Sequence, residues 1–269
     1  MTERDLLAEA SQVDPDRRFG GLRRLHGPAG YARLRAARIA IVGVGGVGSW
    51  TAEALARSGV AELTLIDLDH IAESNINRQV HALETMLGKA KVQALKERIA
   101  LIHPDCVVHT VEEFIDEDNV ATLLQSSALD GVIDCCDQVR AKAALAAWAS
   151  QHHVALISVG AAGGKVQPHR VEVADLSEVT HDPLLASLRQ RLRQRHGGAR
   201  RGAIGVTCVF SREAVRPPQD RCDLSDPGAI EGGPVDGSLN CAGYGSSVTV
   251  TATFGMVAAA SLLEQVLRA

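Results

Sequence analysis

A short apolar run followed by a glycine-rich segment constrains this chain more than any other feature. The run Ile39–Val42 has the composition of a strand that is buried on both faces. It leads into Gly43-Val-Gly-Gly-Val-Gly48 and then into a helix-like segment at residues 49–57. Apolar runs and helical segments keep alternating up to residue 157. Such alternation predicts a mostly parallel sheet with right-handed crossovers.

The remaining predicted elements extend this pattern. Strands are predicted at 63–66, 107–111, 131–134, 154–157, 166–173 and 204–210, and helices at 31–38, 89–102, 116–126, 141–149 and 184–196. Residues 217–238 contain four Pro, four Gly and five acids without apolar periodicity, which indicates a mobile loop. We expect an α/β fold: a Rossmann-like, doubly wound, mostly parallel sheet with an N-terminal helical arm and a mixed C-terminal extension of the same sheet.

Composition excludes several other classes of protein. The 269-residue chain has a net charge of −4, so nucleic-acid binding would require a local basic patch. Its six cysteines form no Cys-x-x-Cys pair, which argues against a structural zinc site. The first residues carry no secretory pattern, so we expect a cytoplasmic protein with reduced thiols. Ser and Thr interrupt the apolar segment 246–263, which favours a buried helix over a membrane span.

The glycine-rich segment lies where a phosphate-binding turn is expected, between a strand and a helix. Glycines let the backbone approach a phosphate, and free N–H groups at the helix start face the anion. Asp67 closes the next strand, where it can hold a ribose hydroxyl. These features alone predict a nucleotide or dinucleotide site, and an NAD-dependent oxidoreductase is one class that carries them.

Residues further along favour a different chemistry from hydride transfer. Asn75, Arg78 and Lys91 follow the second strand, and Asp137 follows a later one. Fixed cations stabilise the charge that develops on a leaving pyrophosphate. A carboxylate such as Asp137 can hold Mg²⁺ between phosphates.

Together these residues resemble the ubiquitin-activating-enzyme-like family of adenylating enzymes. The resemblance implies ATP-dependent adenylation of a carboxylate, with release of pyrophosphate. It assigns an ATP-binding half to residues 38–158 and a substrate-side half to 159–269 of one domain, 1–269. It implies nucleotide contacts from Gly43, Gly45, Gly46, Gly48, Asp67, Asp69, Asn75, Arg78, Gln79, Lys91 and Asp137.

The resemblance also implies catalytic roles. Arg78 and Lys91 would contact the phosphate chain, and Asp137 would hold Mg²⁺. An N-terminal arginine of this family reaches into the partner subunit's site, which implies a homodimer. Arg18 is the candidate for that arginine, with Arg17 and Arg24 as alternatives.

Further segments are similar to the branch of this family that dehydrates threonylcarbamoyladenosine in tRNA. They are Arg18–Gly21, Arg24–Gly27, Gly160–Gly164, Val206–Glu213 and Val250–Gly255. This branch implies that ATP adenylates the threonyl carboxylate beside the anticodon. The carbamoyl group of the same nucleoside then closes a ring and expels AMP. Proximity favours such an intramolecular attack, which needs no enzyme thiol.

A basic stretch supplies a candidate surface for tRNA. Residues 183–212 contain seven arginines and no acid, on a chain that is acidic overall. A local field of this kind is typical of a phosphate-backbone contact, and a solvated helix end is the alternative. The candidate tRNA contacts are Arg189, Arg191, Arg193, Arg195, Arg200 and Arg201.

The main alternative is an activator of a small sulfur-carrier or ubiquitin-like protein. Enzymes of that kind that form thioesters need an exposed cysteine, and Cys241 is the candidate here, beside Cys222. The resemblance leaves open a sulfur-relay protein partner and a monovalent cation in addition to ATP and Mg²⁺.

Overall fold

The computed structural model describes residues 14–125, 128–217 and 244–268. Within them the helices are α1 (Pro15–Ala36), α2 (Gly48–Arg57), α3 (Lys91–Ile102), α4 (Val120–Gln125), α5 (Val139–His152), α6 (Pro183–Arg195) and α7 (Val248–Arg268). The strands are β1 (Arg38–Val42), β2 (Glu62–Ile66), β3 (Val107–Val111), β4 (Gly131–Asp134), β5 (Ala155–Val159), β6 (Val171–Asp175) and β7 (Thr207–Ser211). Short 3-10 turns occur at Glu73–Asn75, Glu84–Met86 and Pro168–Arg170.

The strands form one sheet in the order β3-β2-β1-β4-β5-β7-β6. β6 runs antiparallel to β7, and every other neighbouring pair in this sheet is parallel. The direction of winding reverses between β1 and β4, which is where sheets of this kind bind ligands. The predicted fold class is confirmed: the sheet is doubly wound, α1 forms the N-terminal arm, and β6 with β7 forms the mixed extension.

The uninterrupted apolar run of β1 is explained by helices on both faces of the sheet. Ile39 and Ile41 lie in the apolar cluster that includes residues of α2, α3 and α7. Ala40 and Val42 lie in the opposite cluster, with residues of α4, α5 and α6. Because successive side chains of a strand point to opposite faces, both sets must be apolar.

The N-terminal helix is longer than the segment predicted at residues 31–38. It begins at Pro15, where the side chain of Asp14 accepts two backbone N–H groups and proline occupies the first turn. It bends at Gly27, whose φ is 72°, next to Pro28. The cap therefore starts a helix that the weak apolar periodicity of this region did not reveal.

Two predicted strands begin later than expected, while the elements other than these and α1 agree with their predicted bounds to within about five residues. In the segment 166–173, the N–H groups of Val166 and Gln167 donate to the carboxylate of Glu213, at 2.9 and 2.8 Å. These groups are therefore not available to a strand ladder. The backbone N–H of Ile204 likewise bonds to a side-chain carboxylate at 2.9 Å, and β7 begins only after it.

Helix α7 corresponds to the apolar segment 246–263. By length and composition alone it could cross a membrane. One face of it, with Val250, Phe254 and Leu262, is buried in the core cluster. A Cβ at Gly255 would lie 2.6 Å from the Val47 carbonyl oxygen, so the helix packs closely on the start of α2. This packing is that of a core helix.

Two further expectations concern the loop at 217–238 and the division of the domain into two halves. The loop expected at 217–238 lies outside the described residues except for Pro217, as do Cys222 and Cys241. The boundary expected between the two halves, at residues 158–159, falls at the end of β5.

Candidate active site

A cavity of about 760 Å³ opens at the carboxyl ends of β1 and β4, where the strand order reverses. Segments that follow β1, β2, β4 and β5 form its walls, together with residues 74–79 and 244–246. Except for Gly48, the expected nucleotide contacts all line it: Gly43, Gly45, Gly46, Asp67, Asp69, Asn75, Arg78, Gln79, Lys91 and Asp137. The carboxyl ends of parallel strands lie at one edge of the sheet, which is why these distant residues meet.

The glycine loop depends on two close backbone approaches. Gly43 has φ 79°, and a Cβ there would lie 3.0 Å from the backbone of Cys135 and Cys136. A Cβ at Gly48 would lie 1.8 Å from the carbonyl oxygen of Gly43. Gly48 thus lies behind the loop, where it allows α2 to start against β1. No side chain among the described residues caps this helix start.

The cavity wall that follows β2 carries a charged group, which consists of Asp67, Asp69 and Lys91. The Asp67 carboxylate accepts the N–H of Val44 at 2.8 Å and that of Asp69 at 2.9 Å. Lys91 donates to Asp69 at 2.7 Å and lies 4.0 Å from Asp67. Burial raises the pKa of Asp67, against the opposing effect of Lys91. A buried lysine ammonium is therefore held at the wall of the cavity.

Two polar side chains, Arg78 and Gln79, lie next to the glycine loop in the cavity wall. The Arg78 guanidinium donates to the Ser74 carbonyl at 2.6 Å and to the Asn77 amide oxygen at 2.9 Å. Its aliphatic carbons would lie 3.4 to 3.5 Å from a Cβ at Gly46, and burial lowers the pKa of Arg78.

The buried Gln79 side chain completes this wall. Its amide oxygen has no hydrogen-bond partner among the described residues. An orphaned buried amide in a cavity wall fits a polar ligand there.

Asp137 and two cysteines form the wall that follows β4. No cluster of three or more metal-binding side chains occurs in the described part of the chain. Mg²⁺ commonly uses one or two carboxylates together with substrate phosphates and water, so a single carboxylate at this place fits it. Burial raises the pKa of Cys135 to about 12 and that of Cys136 well above its ordinary value. Neither thiol is therefore an activated nucleophile.

Lys142 lies beneath this wall and was not identified from the sequence. It is fully buried and donates to the Asp134 carboxylate at 3.0 Å and to the Val159 carbonyl at 2.7 Å. Ser158 donates to the same carboxylate at 2.8 Å. The lysine thus joins the ends of β4 and β5. The only sequence signal is its position in an alanine-rich helix, which equally suits a surface lysine.

The glycine turn after β5 forms a further wall of the cavity, although its sequence indicated only membership of the family. Gly160 and Ala161 line the cavity. Asp182, at the start of α6, accepts the N–H of Ala161 at 2.8 Å. A Cβ at Gly160 would lie 2.2 Å from the same carboxylate oxygen, so the turn and α6 are in close contact.

Arg18 is not among the described residues that line this cavity. Its guanidinium donates to the carbonyl oxygen of Ile102, at the end of α3, at 2.5 Å. A role for Arg18 in adenylation therefore requires a second subunit.

The six candidate tRNA arginines divide into two groups. Arg189 donates to two backbone carbonyls, Arg191 pairs with Glu117, and Arg193 donates to the Ala199 carbonyl. The side chains of the second group, Arg195, Arg200 and Arg201, are exposed and form no hydrogen bond or ion pair within the described residues. The second group is the one whose charge is directed to solvent.

Comparison with known proteins agrees with these features. The model of the ThiF family matches residues 17–268. The tRNA threonylcarbamoyladenosine dehydratase of Escherichia coli is 43% identical over 253 residues, which cover 93% of each protein.

Crystal structures of the E. coli tRNA N6-threonylcarbamoyladenosine dehydratase with ATP and with AMP are similar to this fold. Their TM-scores are 0.82 and 0.83, at 40% identity, and they cover 94% of this chain and 95% of theirs. The family expected from the motifs is confirmed. This chain belongs to the ThiF family.

Proposed function

We propose that this protein dehydrates threonylcarbamoyladenosine in tRNA at the expense of ATP. The observation that carries the proposal is near-full-length similarity to a dehydratase of that name, whose structures hold ATP and AMP. The cavity adds a physical reason, since a glycine turn, two cations and a carboxylate converge there. The enzyme is an adenylating, AMP-forming one.

The first step is attack of the threonyl carboxylate on the α-phosphorus of ATP. An acyl–phosphate bond forms, the bond to pyrophosphate breaks, and pyrophosphate leaves. Arg78 and Lys91 stabilise the negative charge that develops on the phosphates. Asp137 would hold Mg²⁺, which would supply positive charge to neutralise the phosphates.

The second step is ring closure within the same nucleoside. The carbamoyl group attacks the acyl carbon, loses a proton, and expels AMP, which carries away one former carboxylate oxygen. The net change is the loss of one water from the base. Because the two reacting groups are already joined, no thiol is needed. This suits the described cysteines 106, 135, 136 and 208, since burial raises the pKa of all four.

The exposed arginines Arg195, Arg200 and Arg201 would contact the tRNA backbone. Helix α6 begins at the cavity wall with Leu184 and ends at Arg195. At 1.5 Å per residue this is about 16 Å. This spacing suits an anticodon stem-loop that places its modified base in the cavity and its backbone phosphates about 16 Å away.

Other parts of the proposal rest on the family resemblance. They are a homodimer in which Arg18 reaches the partner's cavity, a cytoplasmic location, a sulfur-relay protein as an optional partner, and an optional monovalent cation.

The test is incubation with ATP, Mg²⁺ and tRNA that carries threonylcarbamoyladenosine, followed by mild digestion and mass spectrometry. An ATP-dependent loss of one water supports the proposal. An ¹⁸O label in the threonyl carboxylate should appear in AMP. Arg78→Ala and Asp137→Ala should abolish AMP formation while the protein stays folded. An unchanged nucleoside, with AMP formed only in the presence of a small protein ending in Gly-Gly, would assign the activity to carrier activation instead.

A further inference from the structure

Trp50 lies in the first turn of α2, directly after the glycine loop. It is not among the described residues that line the cavity. Its indole Nε1 donates to the backbone carbonyl oxygen of Arg78 at 2.9 Å. Trp50 therefore contacts, from outside the cavity, the backbone of a residue that lines it.

The segment 74–80, which carries Arg78, has little regular structure of its own. It contains the end of one 3-10 turn and the residues that follow it, so no strand ladder or long helix fixes its place. Among the described residues, the hydrogen bond from Trp50 is the shortest that joins this segment to another element, since the others are 3.1 to 3.5 Å long. The place of this segment beside the glycine loop thus depends on one indole N–H group.

Ser49, the neighbour of Trp50, makes a second contact to the same segment. Its buried hydroxyl oxygen accepts the N–H of Val80 at 3.3 Å. The two bonds meet the backbone on either side of Gln79, whose buried side chain lies in the cavity wall. Two consecutive residues at the start of α2 therefore fix the backbone that presents Arg78 and Gln79 to the cavity.

The guanidinium of Arg78 must follow its own backbone. Its hydrogen bonds in the described part of the chain go to the Ser74 carbonyl at 2.6 Å and to the Asn77 amide oxygen at 2.9 Å. Both acceptors belong to the segment 74–80 itself. A shift of this segment would therefore carry the positive charge with it.

We propose that Trp50 is a positioning residue for adenylation, whose indole N–H holds the Arg78 guanidinium where the phosphates of ATP would bind. The inference rests on the proposed function, in which Arg78 stabilises the charge that develops on the phosphates. Such a charge is effective when it is in place before the reaction begins. A displacement of about 1 Å in an active site can cost about 100-fold in rate. Trp50 acts through Arg78, because it lies outside the cavity.

The other tryptophan of the chain supplies a matched control. Trp148 lies in α5 and is 6% exposed, and its indole N–H has no hydrogen-bond partner among the described residues. A buried indole N–H usually finds a partner, so the two positions differ in the feature of interest. Replacing tryptophan by phenylalanine removes the same atoms at both positions but removes a hydrogen bond only at Trp50.

The test compares Trp50→Phe with Trp148→Phe in the full chain. The measurements are the unfolding midpoint, ATP affinity by calorimetry, and AMP formation at saturating ATP with tRNA that carries threonylcarbamoyladenosine. Trp50→Phe should weaken ATP binding at least about threefold and slow AMP formation at least about tenfold. The effect on AMP formation is the larger one, because the charge on the phosphates is greatest in the transition state. Trp148→Phe should change both by less than about twofold, even if its midpoint falls as far.

A double variant shows whether Trp50 acts through Arg78. In the Arg78→Ala background, Trp50→Phe should weaken ATP binding by less than about 1.5-fold, because the charge to be positioned is missing. If Trp50→Phe does not fold, Trp50→Tyr, which also lacks the indole N–H, is measured with Trp148→Tyr as its control.

Two outcomes would overturn the inference. One is that Trp50→Phe matches Trp148→Phe in both ATP affinity and AMP formation. The other is that Trp50→Phe weakens ATP binding as much in Arg78→Ala as in the wild type. If the wild type forms no AMP with the modified tRNA, the dehydratase proposal fails, while the ATP affinities of the same variants still decide the role of Trp50.

Discussion

Replacing Lys142 by methionine isolates the buried ion pair under the cavity. Both Lys142 and Asp134 are fully buried, and Nζ lies 3.0 Å from the carboxylate. Removing one partner of a buried pair costs about 3–5 kcal/mol, because the other charge remains without compensation. Here the Asp134 carboxylate keeps two donors at 2.8 Å, the Ser158 hydroxyl and the Cys136 thiol. We therefore expect the lower end of that range, about 3 kcal/mol.

For a chain of this size, about 3 kcal/mol corresponds to a fall of about 6–12 °C in the unfolding midpoint. The assay is urea and thermal unfolding of Lys142→Met and of the double variant with Asp134→Asn, which removes the remaining charge. The double variant should recover about half of the loss. Lys96→Met, on an exposed helix face, should change stability by less than about 0.5 kcal/mol.

The same variant should lose AMP formation more than ATP binding, because the segment that Lys142 supports carries Asp137. A Lys142→Met variant that is as stable as the wild type would show that the buried ion pair does not stabilise the fold. A double variant that is no more stable than Lys142→Met would show that the loss does not come from an uncompensated charge.

Three further predictions concern other parts of the molecule. Gly48→Ala should reduce ATP affinity at least about tenfold, because its Cβ would lie 1.8 Å from a loop carbonyl and the loop must move; equal affinity in a titration would contradict this. Burial, with nearby cations, lowers the pKa of His81 to about 4. The neutral imidazole therefore contributes its full share to the free energy of unfolding above pH 6.5, and about 3 kcal/mol of that share is lost as the pH falls towards 4. His81→Phe should flatten this acid loss in urea unfolding, and parallel curves would argue against it. Changing Arg195, Arg200 and Arg201 together to Ala should weaken tRNA binding and reduce its salt slope by about 3, with ATP binding unchanged; an unaltered slope would remove these arginines from the interface.

The strand, loop and helix at residues 39–57 were predictable because each obeys a local rule. A strand buried on both faces must be apolar throughout, and a phosphate turn between strand and helix needs glycine. The residues that meet in the cavity were also predictable, since each follows the carboxyl end of a parallel strand. Their meeting is thus a property of the topology and not of any single contact.

The sequence did not predict which individual lysine and arginine side chains are buried and which are exposed. Lys142 follows an alanine on a helix, and Lys165 follows a glycine turn, so neither differs from a surface lysine by local pattern. The arginine stretch shows the same limit. Arg189 and Arg193 donate to backbone carbonyls, because acceptor positions are set by tertiary packing. Sequence gives the number of charges, whereas the fold decides which of them face solvent.

The cations around the cavity therefore perform two different tasks. Arg78 and Lys91 line it, so their charge acts on whatever anion enters. Lys142 and Lys165 lie behind the walls with their donors used by the protein, so their charge fixes where the walls stand. Electrostatic stabilisation is effective only when the stabilising groups do not reorganise during the reaction. The two lysines behind the walls therefore support the two cations that line the cavity, because they fix the position of the walls.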